Sequence, residues 1–159
     1  RNEKFVAIHS DLDNFKAYND RYGVSKGDEV IKFTSKALEN ALKEKGGPDD
    51  FLGHEGGDDF FLITTPDRAD DLTRYVIETF DREIRKFYSK EDLDLGYILE
   101  KNRQGVLVKF PIISISMAGV SNQLRDISNY GELTNIAVGV KTKAKQTQGS
   151  VFVLDRRAA

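Results

Sequence analysis

Cysteine is absent from the 159 residues, so neither a disulfide framework nor thiolate chemistry is available. Basic residues hold no surplus: 24 Lys and Arg stand against 26 Asp and Glu, for a formal charge of -2. A general nucleic-acid binder would carry a strong basic excess, so no nucleic-acid partner is expected. No apolar run approaches the length of a membrane span, and no signal-peptide pattern opens the chain. A cytoplasmic location follows as the expectation. Internal repeats, low-complexity tracts and interdomain linkers are missing too. What is there is an ordinary globular mixture, 39% hydrophobic and 31% charged, at a length suited to one domain with a real core. The first residue is Arg1 rather than Met. We expect residues 1–159 to form a single domain cut from a larger protein.

Hydrophobic periodicity alternates between strand and helix. Lys4 to His9 is short, apolar and β-rich, which predicts a buried strand, with Ser10 to Asp13 as a polar edge after it. Asn14 to Tyr22 predicts a short helix stopped by Gly23. Ser25 is a candidate N-cap for a longer helix from about Lys26 to Lys43, ended by Gly46-Gly47-Pro48. Phe51 to His54 and Phe60 to Thr64 predict a hairpin around Gly56-Gly57, because paired glycines reach positive φ without steric cost. Asp67 is a candidate cap for an amphipathic helix to about Tyr88. Residues 89–110 show no clear period, with weak extended structure around 96–99 and 106–110. Ile112 to Val120 alternates as a central strand, Leu133 to Gln148 predicts a helix, and Val151 to Leu154 closes the chain. The fold class expected is α+β, a mostly antiparallel sheet flanked by helices.

Three places carry chemistry. Asp11-Leu12-Asp13 follows the first strand, and acids at i and i+2 of an extended chain point the same way. Such a pair can hold a divalent cation, with a backbone carbonyl as a further hard oxygen. Taken alone, Asp-x-Asp is more often a polar turn. Gly56-Gly57-Asp58-Asp59 is more informative, because a tight turn explains the glycines but not the acids. Lys141 and Lys145 lie one turn apart on the last helix and share a face suited to phosphate. The competing reading for Lys141, Lys143 and Lys145 is solubility and a favourable helix dipole.

Together these pieces carry a resemblance. Asp11-Leu12-Asp13-Asn14-Phe15-Lys16-Ala17-Tyr18-Asn19-Asp20-Arg21-Tyr22-Gly23, then Gly27-Asp28, then Gly56-Gly57-Asp58-Asp59-Phe60, resembles the GGDEF family of diguanylate cyclases. The ordered match runs from about Phe5 to Thr64 and weakly beyond. It implies a palm-like fold similar to nucleotidyl cyclases, and condensation of two GTP into cyclic di-GMP with loss of pyrophosphate. It also implies Mg²⁺ (or Mn²⁺) as cofactor, a pairing of two domains for catalysis, and sensory or output domains in the full-length protein. Carried over, Asp11, the Leu12 carbonyl and Asp58 resemble the metal ligands. Phe15 and Lys16 resemble the phosphate-side loop, and Asn19 and Asp28 the pair that recognises guanine. Gly56 and Gly57 leave room for nucleotide, and Lys145 matches the lysine of the C-terminal Ala-Lys motif. Asp58 and Asp59 resemble the catalytic acids.

The departures bear on activity. Asp59 stands where the family has Glu, about 1.5 Å shorter in reach. His54-Glu55 replaces Arg-Tyr, and Glu55 adds negative charge beside a triphosphate site. Ser150 stands where the family's Gly-Arg carries a guanidinium, which Ser cannot replace. Val138, Lys141 and Thr142 replace the family's Asp, Leu and Tyr. The inhibitory Arg-x-x-Asp motif reads Gly47-Pro48-Asp49-Asp50, so no inhibitory site is expected. The stretch 89–110 is longer than usual and reads as an atypical insertion. Two readings follow: a cyclase of weakened activity, or a catalytically inactive module that binds GTP or a partner domain and regulates a neighbour.

Overall fold

A computed structural model describes residues 3–123 and 125–157. A five-stranded sheet runs through it in the order β2-β3-β1-β6-β7, formed by Phe51–Gly56, Asp59–Thr64, Val6–Asp13, Ser114–Ser121 and Val151–Leu154. All its pairings are antiparallel except β6 with β7. A parallel neighbour needs a crossover, and α5 (Tyr130–Lys145) supplies it. The remaining helices are α1 (Phe15–Tyr22), α2 (Val24–Lys45), α3 (Pro66–Glu83) and a one-turn α4 (Lys90–Leu95). A separate hairpin of β4 (Tyr97–Lys101) and β5 (Leu107–Pro111) stands beside α1. This is the α+β arrangement expected from the sequence.

Strand alternation sorts the two faces of the sheet. Val6, Ile8 and Leu12 of β1 and Ile115 and Met117 of β6 join the main core, with Val30 and Leu38 of α2 and Leu72, Val76 and Phe80 of α3. The opposite face carries Ala118 and Val120 against Ile136, Ala137 and Val140 of α5. His9, Asp11 and Asp13 share the alternation of this second face. The sheet's central strand therefore holds a row of polar groups under α5.

Several boundaries differ from the sequence reading. β1 continues through Asp13, because Asp11, Leu12 and Asp13 pair with Ser116, Ile115 and Ser114 across the whole length of β6. The acids therefore sit in the strand, not in a polar edge beyond it. Ser25 lies within α2, whose N-cap is Gly23. Asp67 lies in the first turn of α3, after the N-cap Thr65 and beside Pro66 at the helix start. Between α3 and Tyr88 the chain tightens into a 3₁₀ turn over Ile84–Phe87. Residues 89–110 form α4 and most of the β4–β5 hairpin. Ser89 caps α4 by accepting from the Asp92 N–H, and Gly96, at φ 82°, ends it.

Candidate functional site

β1 passes into α1 through one residue, Asn14, in the left-handed region at φ 68°. Asn tolerates that conformation better than most side chains. The junction stands over the turn of the β2–β3 hairpin. There Gly56 pairs with Asp59, leaving Gly57-Asp58 as the connecting residues. Gly56 at φ 126° and Gly57 at φ 54° supply the positive φ values the turn requires. His54 Nε2 donates to the Gly57 carbonyl at 2.8 Å, and its ring stacks on Phe60 at 4.3 Å. His54 is thus a brace for the turn.

This geometry sets Asp58 against the end of β1. Its carboxylate accepts the Leu12 N–H at 3.1 Å. Burial pushes the Asp58 carboxyl above its ordinary value; the Leu12 N–H opposes the shift, and the charges of Asp59 and Asp11 add to it. Asp11 lies beneath α5, 2.8 Å from Lys145 Nζ and 3.1 Å from Lys141 Nζ. Lys145 also meets Asp13 at 2.6 Å, and Lys141 lies 3.6 Å from Asp59. Asp13 is held further by the hydroxyls of Ser114 at 2.6 Å and Ser116 at 2.9 Å. Partial burial alone would lower both ammonium groups, but the facing carboxylates outweigh it and hold both above their ordinary value. Lys143, the third lysine of the sequence set, lines a different cleft beside Asp155 and Arg157.

Glu55 does not aim its charge at Asp58. One oxygen lies 3.2 Å from His9 Nδ1, and the other accepts from the Tyr130 hydroxyl at 3.1 Å. Burial keeps His9 below its usual pKa, against the pull of Glu55. His54-Glu55 therefore supports the hairpin and ties it to β1 and to the start of α5. Ser150 donates to Asp81 at 2.5 Å and accepts from the Ile115 N–H at 3.0 Å, a structural bond between α3, β6 and the start of β7.

A cleft of about 450 Å³ opens between α1, the Asp58 turn and the β4–β5 hairpin. That is large enough for one nucleotide base and part of its tail. Leu12, Phe15, Lys16, Asn19 and Asp58 line it. Lys16 is exposed and pairs with Asp20 at 2.8 Å. Asn19 Oδ1 is buried with no hydrogen-bond partner. Gly27 is placed so close that a Cβ there would meet this oxygen at 1.6 Å. Asp28 is exposed on α2 and is not among the lining residues, and neither are Gly56 and Gly57. A Cβ at either of those glycines would meet nothing within 4 Å, so backbone conformation rather than crowding explains them here. A second cleft of about 700 Å³ shares Asn14 with the first and holds Asp13 and Lys145.

Among the described residues, no three His, Cys, Asp or Glu side chains converge as metal ligands. The donors present nevertheless suit Mg²⁺. This hard cation is commonly bound through one or two carboxylates and completes its shell with phosphate and water. Asp11 and Asp58 are such a pair, with both Asp11 oxygens held by the Lys145 and Lys141 ammonium groups here. Sequence reasoning missed Ser114 and Ser116, whose alternation inside an apolar strand was the available signal. It also missed the hairpin side of the cleft, where Lys101, Asn102, Arg103 and Phe110 complete the wall.

Comparison with known proteins identifies the family. The family profile for the diguanylate cyclase GGDEF domain matches residues 1–95. The chain belongs to the GGDEF domain family. Over 145 residues it is 28% identical to the diguanylate cyclase DgcP of Escherichia coli, covering 91% of this chain and 37% of that protein. Over 64 residues it is 36% identical to the cyclic di-GMP phosphodiesterase PdeR of E. coli, covering 40% of this chain and 9% of that protein. The chain thus spans little more than a third of the first relative and less of the second. Among solved structures, the GGDEF domain of YfiN (TpbB) from Pseudomonas aeruginosa superimposes with a TM-score of 0.66. That match covers 98% of this chain and 84% of the other at 18% identity, a likeness of fold. No helix among the described residues is long and apolar enough to cross a membrane.

Proposed function

We propose that this domain binds GTP with Mg²⁺ and, in face-to-face pairs, condenses two GTP into cyclic di-GMP at a reduced rate. The observation that carries the reading is the meeting of Asp11, Asp58, Asp59, Lys141 and Lys145 at the end of β1, beside a cleft that contains Asn19. Asp11, Asp58 and the Leu12 carbonyl would hold the cation, which when bound neutralises phosphate charge and polarises the α-phosphate. Phe15, Lys16 and Lys145 would hold the triphosphate, with Gly56 and Gly57 leaving the turn's backbone open to it. Asn19 would accept from guanine, and Asp28 would join it after a side-chain movement on α2.

The reaction itself is a displacement. The 3'-oxygen of one GTP forms a bond to the α-phosphorus of the other, the α–β bridging P–O bond breaks, and pyrophosphate leaves. The 3'-hydroxyl proton passes to Asp59 directly or through one water, and a second displacement closes the ring. Each domain holds one nucleotide, so rate depends on how a partner domain presents the other. Domains beyond this chain, sensory or output, would set that pairing.

The regulatory reading has its own support. Asp59 is one methylene short and shares its charge with Lys141, and Ser150 is committed to Asp81. One relative, matched over 64 residues, carries the name of a cyclic di-GMP phosphodiesterase. In that reading the domain binds GTP or a partner domain and acts on a neighbour. Incubation with Mg²⁺ and GTP, followed by mass spectrometry, decides between them. Cyclic di-GMP abolished by Asp58→Ala excludes the regulatory reading. GTP binding without product, even when the domain is fused to a strong dimeriser, excludes the catalytic one.

A further inference from the structure

The β4–β5 hairpin reaches the cleft through its turn. β4 and β5 pair from Tyr97 with Pro111 to Lys101 with Leu107, leaving 102–106 as the tip. The tip is latched by Asn102. Its side-chain oxygen accepts from the N–H groups of Gln104 and Val106, both at 3.0 Å, and its own N–H donates to the Val106 carbonyl at 2.8 Å. Gly105 at φ 79° permits the tight return. A turn closed by its own side chain holds its neighbours in a defined place. Those neighbours, Lys101 and Arg103, are exposed and line the cleft. Neither makes an ion pair among the described residues, whereas Lys16 across the cleft is paired with Asp20.

The two sides of the cleft present different free groups. On the α1 side the buried Asn19 Oδ1 is an acceptor with no partner. On the hairpin side the exposed Arg103 offers guanidinium donors unpaired among the described residues. Between them the walls are apolar, with Leu12, Phe15 and Phe110. A flat ring with donors along one edge and acceptors along another fits this arrangement. Guanine is such a ring: N1–H and the exocyclic amine donate, while O6 and N7 accept and are matched bidentately by a guanidinium. Adenine presents an amine where guanine has O6, and the guanidinium has no acceptor to offer it.

We propose that Arg103 is a specificity-determining residue that reads the O6/N7 edge of guanine from the hairpin, opposite Asn19. The inference rests on the GTP reading above and assigns the tip of the β4–β5 hairpin to the nucleotide site.

The test is titration of the 159-residue chain and its Arg103→Ala variant with Mg²⁺ and GTP, 7-deaza-GTP or ATP. The wild type is expected to prefer GTP over both analogues. Arg103→Ala should weaken GTP about tenfold, the scale of one charge-assisted contact. It should also erase the difference between GTP and 7-deaza-GTP, while Arg103→Lys retains part of it. Arg103 is solvent-exposed, and an unchanged thermal midpoint would confirm that the variant folds. Unaltered GTP affinity in Arg103→Ala would make the side chain an ordinary solvated charge and overturn the proposal alone. An equal loss for all three nucleotides would assign Arg103 to the triphosphate, and would overturn it too. Failure of the wild-type chain to bind GTP would remove the nucleotide reading and this contact with it.

Discussion

The Asp58 carboxylate accepts the backbone N–H of Leu12 at 3.1 Å, joining the tip of the β2–β3 hairpin to the end of the central strand. The bond spans 46 residues of sequence and presents the acid beside Asp11. An amide oxygen can accept the same N–H. Asp58→Asn is therefore expected to keep the fold, with a thermal midpoint within a few degrees of the parent, and to lose Mg²⁺-dependent GTP binding. Calorimetry with and without Mg²⁺ separates the two effects. Asp58→Ala loses both oxygens, and any cyclic di-GMP formation should fall by at least about 100-fold.

Asp59 invites the opposite experiment. It lies 3.6 Å from Lys141 at the mouth of the site, one methylene short of the family's Glu. Asp59→Glu restores the reach at little structural cost, since the side chain is half exposed. Product formation is expected to rise on the order of tenfold, at the low end of the effect of a positioned acid–base group. A rate that stays flat or drops, measured by mass spectrometry over time, would mean that side-chain length does not limit turnover.

Gly27→Ala separates stability from binding. In a helix interior Ala is favoured over Gly by about 0.8–1.0 kcal/mol. Here the new methyl would meet the Asn19 carboxamide, which is the free end of a side chain and can be displaced. The variant is expected to melt no lower than the parent while binding GTP more weakly. A variant that binds GTP as the parent does would show that the position of Asn19 is unimportant to recognition.

Acid stability should depend on Asp92. This carboxylate is 2% exposed, accepts from Arg21 at 2.9 and 3.1 Å and from the Tyr22 hydroxyl, and so ties α1 to α4. Burial opposes ionisation, but the bonds from Arg21 and Tyr22 outweigh it and hold the carboxyl below its ordinary value. A depressed folded-state pKa stabilises the fold above the unfolded value, near 3.9 for Asp, and that contribution is lost as pH falls through the lower folded value. Asp92→Asn should cost about 1–3 kcal/mol at neutral pH and flatten the loss of stability below about pH 4. Urea melts at pH 7 and pH 3 measure both.

Much of the site was legible because it is local in sequence. The Gly56-Gly57-Asp58-Asp59 turn and the one-turn spacing of Lys141 and Lys145 are short-range patterns: the hairpin turn forms as expected, and the two lysines do share a face, which meets the carboxylates of β1. The alternation of Asp11 and Asp13 survived even though β1 proved longer than expected, since extension to Asp13 is decided by pairing with β6. What could not be read depends on distant partners. Glu55 looked like an unwelcome charge until His9 and Tyr130 appeared beside it. Ser25 looked like a cap, but the chain turns into α2 two residues earlier, at Gly23. Residues 89–110 have no long period because a one-turn helix and two five-residue strands are too short to show one.

A single residue, Asn14, separates the central strand from α1, whereas the opposite wall of the cleft hangs on a five-residue turn. The acids at the end of β1 and the groups on α1 are consequently joined by the shortest possible connection. The hairpin wall is joined to them through packing of β4 on α1 and through the chain on either side. Insertions or deletions in 102–106 would alter the width of the entrance while leaving the acids where they are, so related chains could diverge in what they admit without touching the groups beneath it.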